Sequence, residues 1–537
     1  MSAGEKEVLD AQEDLRRLRL LEEPQWREIA ALLKPEERDI GTRNQRARVA
    51  DEIFDSTPLY AVDQFVGGLF NQASNPADRW FELGLQDRDL AQWGPVREYL
   101  WAVTTLTYGT LAPAVSGFYA NIPAVFGDLG VFGLGSFYSD LTPGAQKFTD
   151  ICVPLSESFI DTDGQGNLTR FHREWRARGS QLKRQFGKSA PDIEDSREAY
   201  IVHAVYPNHD FRPGAVGRKG MAWLSTYCSA DIPGWRRDGG YYELPFHSIP
   251  WTLRSGRVWP IGPGHIARAD AAMLNEMERS HIVAAQFAAE PITLLHDEGV
   301  LSAADIQPNK LLYGTVTDEG KPLVQSFTRN ADVKLSMAQS EQRRNSIKEA
   351  FYFSLMQLIN RPQMTATEVL SFKEEQLRLM GPNLGRIHTF GLAPFVARRV
   401  KLLQRAGMMP PPPPELHGQR IEITFTSPLA KAQKAAQGKA TMQWIGAIGQ
   451  IAQMKPDVAD NLDGDKAAAV LLDALGPPPE IMRAADDVQK DRQARAAEQQ
   501  QQMALAKAQA ATAVMADGAH AMQAATASRA RVAPGGA

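Results

Sequence analysis

Cysteine is almost missing from this chain: 537 residues carry two, Cys152 and Cys228. So few thiols exclude a disulfide framework and a cysteine-rich metal centre, and they suit a reducing compartment. No run approaches the ~18 uninterrupted apolar residues that a membrane-spanning helix requires. The first ten residues, Met1 to Asp10, are polar and charged where a signal peptide needs an apolar stretch. The expectation is a chain made and assembled in a cytosol, with no membrane partner. Excess charge is missing too. The formal net charge is −4, so no global basic field draws the chain to nucleic acid or anionic lipid. A role on DNA has to come from local geometry.

Catalytic and cofactor motifs are equally scarce. Gly187-Lys188-Ser189 ends like a phosphate-binding loop, but the pattern requires glycine where Leu182 stands, and a buried strand where a basic, helical-looking stretch stands. Asp161-Thr162-Asp163-Gly164-Gln165-Gly166 opens like a calcium loop, yet its twelfth position is His172, not a bidentate glutamate. Hairpin-turn chemistry accounts for the same residues. Gly127, Gly130, Gly133 and Gly135 lack the dinucleotide spacing; close backbone packing or a helix-loop-helix turn accounts for them. His203, His209 and Asp210 come nearest to a metal-ligand cluster among ten scattered histidines. No nucleophile elbow, zincin motif or spaced cysteine set occurs. The expectation is a chain that is not an enzyme and holds no cofactor or metal.

What is present is a long chain of alternating helical and strand-like segments, enough for two to four structural units. An amphipathic helix opens it, breaks at Pro24 and resumes through Trp26, Ile29, Leu32 and Leu33. Thr57-Pro58 starts another helix, with an N-cap oxygen followed by proline where no amide hydrogen is needed. Trp80-Phe81-Glu82-Leu83 reads as a strand, and a helix begins at Pro95. From about Cys152 short strands and turns take over: a hairpin tip at Asp163 to Asn167, a basic helical stretch over Glu174 to Gln185, and strands over Tyr200 to Tyr206 and Met221 to Tyr227. A strand pair follows within Trp235 to Leu253.

The most regular helix runs from Ile266 to about Glu290, ~37 Å at 1.5 Å per residue. Its narrow seam of small residues suits packing against neighbouring helices, including copies of itself, as well as an ordinary core. Thr365-Ala366-Thr367-Glu368 is a capping box; the helix it opens bends near Pro382 and stops at Gly407. Pro410 to Pro414 form a stiff spacer, and Ile421 to Thr426 alternate as one strand. The last ~50 residues, rich in Ala, Gln and Met, are either coiled-coil-like in an oligomer or disordered.

Two basic clusters stand out. Arg173, Arg176, Arg178, Lys183, Arg184 and Lys188 form one, and Arg343 with Arg344 the other. Each reads either as a solvated face with neighbouring acids or as a surface that meets DNA or an acidic partner.

Several stretches, in order, resemble the phage head-to-tail connecting (portal) family. They are Gly68-Leu69-Phe70-Asn71, Asn75-Pro76 and Trp80-Phe81-Glu82-Leu83; then Asp128 to Gly133; then Arg361-Pro362-Gln363-Met364-Thr365-Ala366-Thr367-Glu368-Val369 with Leu379-Met380-Gly381-Pro382 and Gly385-Arg386; then Ala406-Gly407 and Ser427 to Ala430. The resemblance covers roughly residues 10–485. It implies Asn75, Pro76, Trp80, Phe81, Pro362, Thr365, Thr367, Glu368, Gly381, Pro382 and Gly407 as structural motif residues.

It further implies an α+β, predominantly helical portal fold of wing, stem, clip and crown that assembles into a ring. Residues 1–150 would be the N-terminal part of the wing, 151–195 strands and the first stem helix, and 196–260 an α/β clip. Residues 261–292 would be the second stem helix, 293–485 the C-terminal part of the wing with a channel loop near 331–345, and 486–537 a crown or a disordered tail. The implied role is a ring subunit, dodecameric in the family, at one capsid vertex of the virion, assembled in the host cytoplasm. Double-stranded DNA would cross its channel. Terminase large subunit, tail adaptor or nozzle proteins, and capsid and scaffolding proteins would dock on it.

Because a ring multiplies every lumenal charge, a conduit that lets duplex slide favours few basic contacts. Lys334, Arg343 and Arg344 are the expected channel contacts, and Arg176, Arg178, Lys183, Arg184 and Lys188 the expected docking surface. Another ring-forming head-tail adaptor is the nearer alternative, and a DNA-translocating ATPase, lacking its phosphate loop, the more distant one.

Overall fold

The computed structural model describes residues 3–37, 53–87, 93–142, 147–289, 292–295, 324–327, 333–356, 379–416, 418–426, 428–455, 462–475 and 490–505, with a few isolated positions between them. In chain order the main elements are α1 (Ala3–Leu20), α2 (Glu23–Leu33), α3 (Thr57–Ala73), β1 (Phe81–Leu85), α4 (Gly94–Gly109), α5 (Phe118–Phe132), β2 (Leu134–Thr142), β3 (Lys147–Val153), β4 (Ser158–Thr162), β5 (Leu168–Arg178), α6 (Gly179–Phe186), β6 (Glu198–Pro207), β7 (Trp223–Cys228), β8 (Arg236–Tyr241) and β9 (Phe246–Pro250). Then follow α7 (Pro263–Ala289), β10 (Ile292–Leu295), β11 (Val324–Phe327), α8 (Val333–Ala350), α9 (Ala393–Arg405), β12 (Ile421–Phe425), α10 (Pro428–Met454) and α11 (Gly464–Leu475). The chain divides into two units. One holds Met1–Gly84, Val103–Pro410 and Glu422–Gln433; the other holds Leu85–Ala102, Pro411–Ile421 and Lys434–Ala537.

In the first unit, β4 to β8 form a five-stranded antiparallel sheet in sequence order, and β3-β2-β9 a three-stranded one. β1 pairs with β12, and β10 with β11. Alternation along β6 explains how the larger sheet is covered on both faces. Ala199 and Ile201 point to a cluster with Leu182 and Phe186 of α6. Val202 and Ala204 point the other way, to Val8 of α1 and Cys228. Polar anchors hold α1 there: Gln12 bonds His172 Nδ1 at 2.9 Å and Glu174 at 2.8 Å, and Arg16 reaches Glu174 at 2.6 Å.

Here the structure corrects one reading. The basic stretch after Glu174, expected as a helix and as a first stem, is extended through Arg178; only the eight residues of α6 are helical. Phe171 and Ala177, both buried, lie on one side of β5, while Arg176 and Arg178 alternate to the other. The strand is laddered on both edges, by β4 and by β6. A strand paired on two sides outweighs the mild helix preference of Arg and Ala. The expected division at 195/196 therefore falls between two paired strands.

Most other segments fall where their signals put them. Pro24 sits in the first turn of α2 and Pro58 in that of α3. At α3 the capping oxygen is not that of Thr57: Asp55 Oδ1 accepts the Thr57 amide at 2.8 Å. Asn75 Oδ1 takes the Ala77 amide at 2.9 Å, which shapes the turn through Pro76 into Trp80 and Phe81. These two rings are buried. Phe81 stacks on Tyr108 at 4.3 Å, and Trp80 lies parallel to Phe118 and Phe425. Phe118 in turn stacks on Phe395 at 4.7 Å, and Phe425 on His388 at 4.1 Å. One aromatic pile thus joins β1, α5, α9 and β12.

Gly133 ends α5 with φ +82°, and a Cβ there would fall 2.5 Å from the Ile261 carbonyl carbon. Backbone packs on backbone at this point, and the turn leads into a strand rather than a second helix. Gly407 closes α9 at φ +67°. Residues 379–386, with Gly381 and Pro382, are helical, and a π-helical turn over Ile387–Leu392 follows. That turn lies just before Pro394, whose ring nitrogen cannot donate to the carbonyl four residues back. Pro362, Thr365, Thr367 and Glu368 lie outside the described residues.

In the second unit, Val96, Leu100, Leu416 and Ile448 are buried. Along α10 the described side chains from residue 437 onward are otherwise half-buried or exposed, Trp444 and Met442 among them. Residues 490–505 are helical and, apart from half-buried Asp491, exposed.

Three histidines, His172, His203 and His247, are buried in the first unit. Burial draws His172 and His247 down to about 3, and Arg398 and Arg399 add to the effect on His247. Unfolded histidine titrates near 6.5, so acidification protonates the unfolded chain first and stability falls as pH drops below about 6.5 toward 3. Glu37, raised to about 7 by burial and by Asp128, opposes this between 4.5 and 7 with a single proton. Urea titrations at pH 7, 6 and 5 are expected to show a net loss, and His247→Leu to flatten the slope by up to about 1.4 kcal/mol per pH unit. An unchanged slope in that variant would refute the assignment.

Candidate interaction surfaces

α7 is 27 residues long, ~40 Å at 1.5 Å per residue. Its two halves differ. Pro263, Gly264, Ala267, Ala271 and Leu274 are buried, against α2 and α5 among others. From Asn275 to Ala289 no residue is buried, and Ile282, Val283 and Phe287 are 41–45% exposed. The stretch is helical because alanine and straight-chain residues dominate it, and among the described residues its apolar side chains enter no core.

α8 braces α7 through charge. Arg343 Nη1 donates to Asp270 at 2.8 Å. Arg344 reaches three acids: Asp55 at 2.9 Å, Glu278 at 2.8 Å and Glu341 at 3.3 Å. Asp55 stays below the usual carboxylate range despite partial burial, held there by hydrogen bonds from Thr57 and by Arg344. Asn275 Oδ1 accepts the Phe54 amide at 2.8 Å, and Arg268 pairs with Glu28 at 2.5 Å. The start of α3, α7 and α8 therefore meet at one guanidinium. This corrects the expected channel loop: from Val333 onward the segment is a helix, and Arg343 and Arg344 are occupied within the chain. Lys334 lies on the same helix. Polar residues without a bulky stripe suggested a loop; the segment is helical, and its adjacent Arg343 and Arg344 pair across to Asp270 and Glu278 of α7.

The other basic cluster gathers around α6. Arg176 and Arg178 both pair with Glu198 across the β5–β6 ladder, and Lys183 Nζ bonds Asp195 at 2.7 Å. Arg184 and Lys188 are exposed, with no ion pair among the described residues. The expected five-residue docking surface is thus partly neutralised, and two of its cations face solvent freely. Gly187–Ser189 is a short 3₁₀ turn after α6 rather than a phosphate loop. His203 stacks on Tyr227 at 3.9 Å and bonds Ser225, buried; His209 and Asp210 are exposed on the loop beyond β6. The three do not converge. Among the described residues no group of His, Cys, Asp and Glu is placed to hold a metal ion, and no described helix is long and apolar enough to cross a membrane.

Sequence reasoning missed Arg398 and Arg399. Both are buried on α9. Arg399 donates to both oxygens of Asp150, at 2.7 and 2.6 Å, and Asp150 also accepts the Ser116 hydroxyl. Arg398 bonds the carbonyls of Ser139 and Glu243 and the carboxylate of Asp140. A signal existed: the stripe Phe395, Arg399, Leu402, Leu403 places an arginine at an apolar position.

The clamp carries a prediction. Arg344→Ala removes a half-exposed network and is expected to cost about 1 kcal/mol. Amide exchange should accelerate in the second half of α7 and not in β6; equal exchange in both regions would show that Arg344 does not brace α7.

The family model described as bacteriophage head to tail connecting protein matches residues 5–482. A probable portal protein of Bordetella phage BPP-1 is 28% identical over 499 residues, 89% of each chain. A portal protein of Salmonella phage epsilon15 is 25% identical over 529 residues, 95% of each chain. A chain in a solved neck of an empty GTA particle aligns with 72% of this chain and 86% of its own at 12% identity; its TM-score of 0.36 is too low to carry an argument.

Proposed function

We propose a portal subunit from one premise: the chain belongs to the bacteriophage head to tail connecting protein family. The near-complete, mutual coverage with two portal proteins supports this for the whole length rather than for one module. As a subunit, it joins copies of itself into a ring, taken to be a dodecamer, at one vertex of the capsid. Double-stranded DNA crosses the channel, terminase docks during packaging, and tail adaptor proteins dock afterwards; capsid and scaffolding proteins surround it. It acts in the virion after assembly in the host cytoplasm, and its work is structural.

The observation that carries the ring is the exposed half of α7. A long helix that leaves Ile282, Val283 and Phe287 uncovered is costly in a free chain and natural where a neighbouring copy covers it. In this reading α7 is the stem, α8 its brace, and the β4–β8 sheet with α6 belongs to the clip side, so that wing residues flank it in sequence at 1–150 and beyond 293. The crown is assigned to the tail after 486.

Passage of DNA fits the charge arrangement. Arg343 and Arg344, bound to acids of their own chain, present far less free positive charge to a duplex than bare arginines repeated around a ring. Sliding is favoured by such neutralisation. Lys334 lies on the same helix and is the proposed residual contact. Arg184 and Lys188, exposed near α6, are the proposed docking cations.

A single pair of substitutions tests the ring. Ile282→Glu and Phe287→Glu lie where no side chain is buried, so the folded subunit should melt as before. Native mass measurement is expected to show the ring replaced by monomer, with subunit affinity weakened about a hundredfold or more. A ring of unchanged mass in both variants would remove α7 from the interface.

A further inference from the structure

The loop between β6 and β7, residues 208–222, is built from the inside and unused on the outside. Its backbone closes on itself: the Arg212 amide donates to Lys219 O at 2.8 Å and the Ala215 amide to Arg212 O at 3.1 Å. Asn208 Nδ2 spans the base, to Arg218 O at 3.0 Å and Met221 O at 2.8 Å. Gly220 is buried so tightly that a Cβ would fall 1.9 Å from Ala215 O. A loop with such internal satisfaction holds its shape without help. Its side chains nonetheless face solvent. Val216 is 98% exposed and Phe211 41% exposed, and Arg212, Arg218 and Lys219 flank them, all exposed. Arg218 lies 3.7 Å from Asp238, the one ion pair of the set among the described residues.

An ordered loop that displays an aliphatic tip gains nothing from water. Order already present is order that binding does not have to create, which favours recognition by a surface of fixed shape. We propose that this loop is a preformed plug: Val216 and Phe211 enter an apolar pocket on a different protein of the particle, and Arg212, Arg218 and Lys219 meet carboxylates on the pocket's rim. Charge complementarity selects the occupant. Arg212 and Lys219, unpaired among the described residues, together with Arg218 beside Asp238, outnumber the loop's own acid Asp210 and call for an acidic rim, and the aliphatic tip calls for an apolar floor. A nucleic-acid backbone supplies the first and not the second, so the partner is protein. This rests on the portal reading for the existence of such a particle, and it concerns residues distinct from the α6 cations.

The test places a photo-crosslinking amino acid at position 216 of the full chain and irradiates assembled particles. The expected product joins this chain to one different protein at a segment containing Asp or Glu beside apolar residues. Crosslinks to DNA, crosslinks to another copy of the chain, or particles with no crosslink would each overturn the plug. In parallel, Val216→Asp and Arg212→Glu are expected to leave ring mass unchanged and to lower retention of that protein about tenfold or more; full retention by both variants would also overturn it. Failure of the unaltered chain to form any ring or enter any particle would overturn the portal reading and the plug together, whereas a ring with a silent position 216 overturns the plug alone.

Discussion

Asp150 is a carboxylate with almost no access to water, and Arg399 is the cation that makes its burial tolerable. The two lie 249 positions apart in sequence and meet through two hydrogen bonds of 2.6–2.7 Å. Asp150 sits on β3 and Arg399 on α9. Their pairing fixes the late helical segment on the β3-β2-β9 sheet, while Arg398 repeats the contact on Asp140 and two carbonyls of the same neighbourhood. Removing one member of such a pair leaves an uncompensated buried charge, typically worth 3–5 kcal/mol. The guanidinium of Arg399 also lies 3.8 Å from the Phe148 ring centroid and 4.9 Å from that of Phe395. It therefore touches the aromatic pile through which β1 and β12 are joined. Segments from the first and last thirds of the chain converge on this one charge.

That constraint clarifies how the chain divides its labour. The buried charges hold distant segments together. Basic residues that sequence alone would offer to DNA or to a partner are mostly bound to acids of the same chain: Arg343 and Arg344 to α7 and the start of α3, Arg176 and Arg178 to Glu198, Lys183 to Asp195. Among the described residues, the surface left for other molecules includes an uncovered helical face on α7, two exposed cations near α6, and an ordered loop with an aliphatic tip.

Much of this was legible in the residues. Prolines in first turns, the Asn75-Pro76 turn, the period of α7 and the alternation of β12 are local signals, decided within a few residues, and the structure places those elements accordingly. The extended course of β5 was not legible, because ladder pairing to β4 and β6 comes from strands whose registers no local pattern reports. The helix at α8 was not legible as a brace either: its charges acquire meaning only opposite Asp270 and Glu278. Arg399 was half legible. It occupied a core position in a helical stripe, and the partner that justified it lay some 250 residues upstream. The motif family, by contrast, was carried by an ordered set of short segments, and the match over residues 5–482 covers nearly the same span.

The central claim is that this chain closes into a ring with an open axis. Electron microscopy of the purified full chain, with native mass recorded on the same sample, tests it most directly. The account predicts particles of one rotational symmetry with an axial channel and a mass that is a single integer multiple of the chain. A compact monomer at every concentration and salt condition would contradict it.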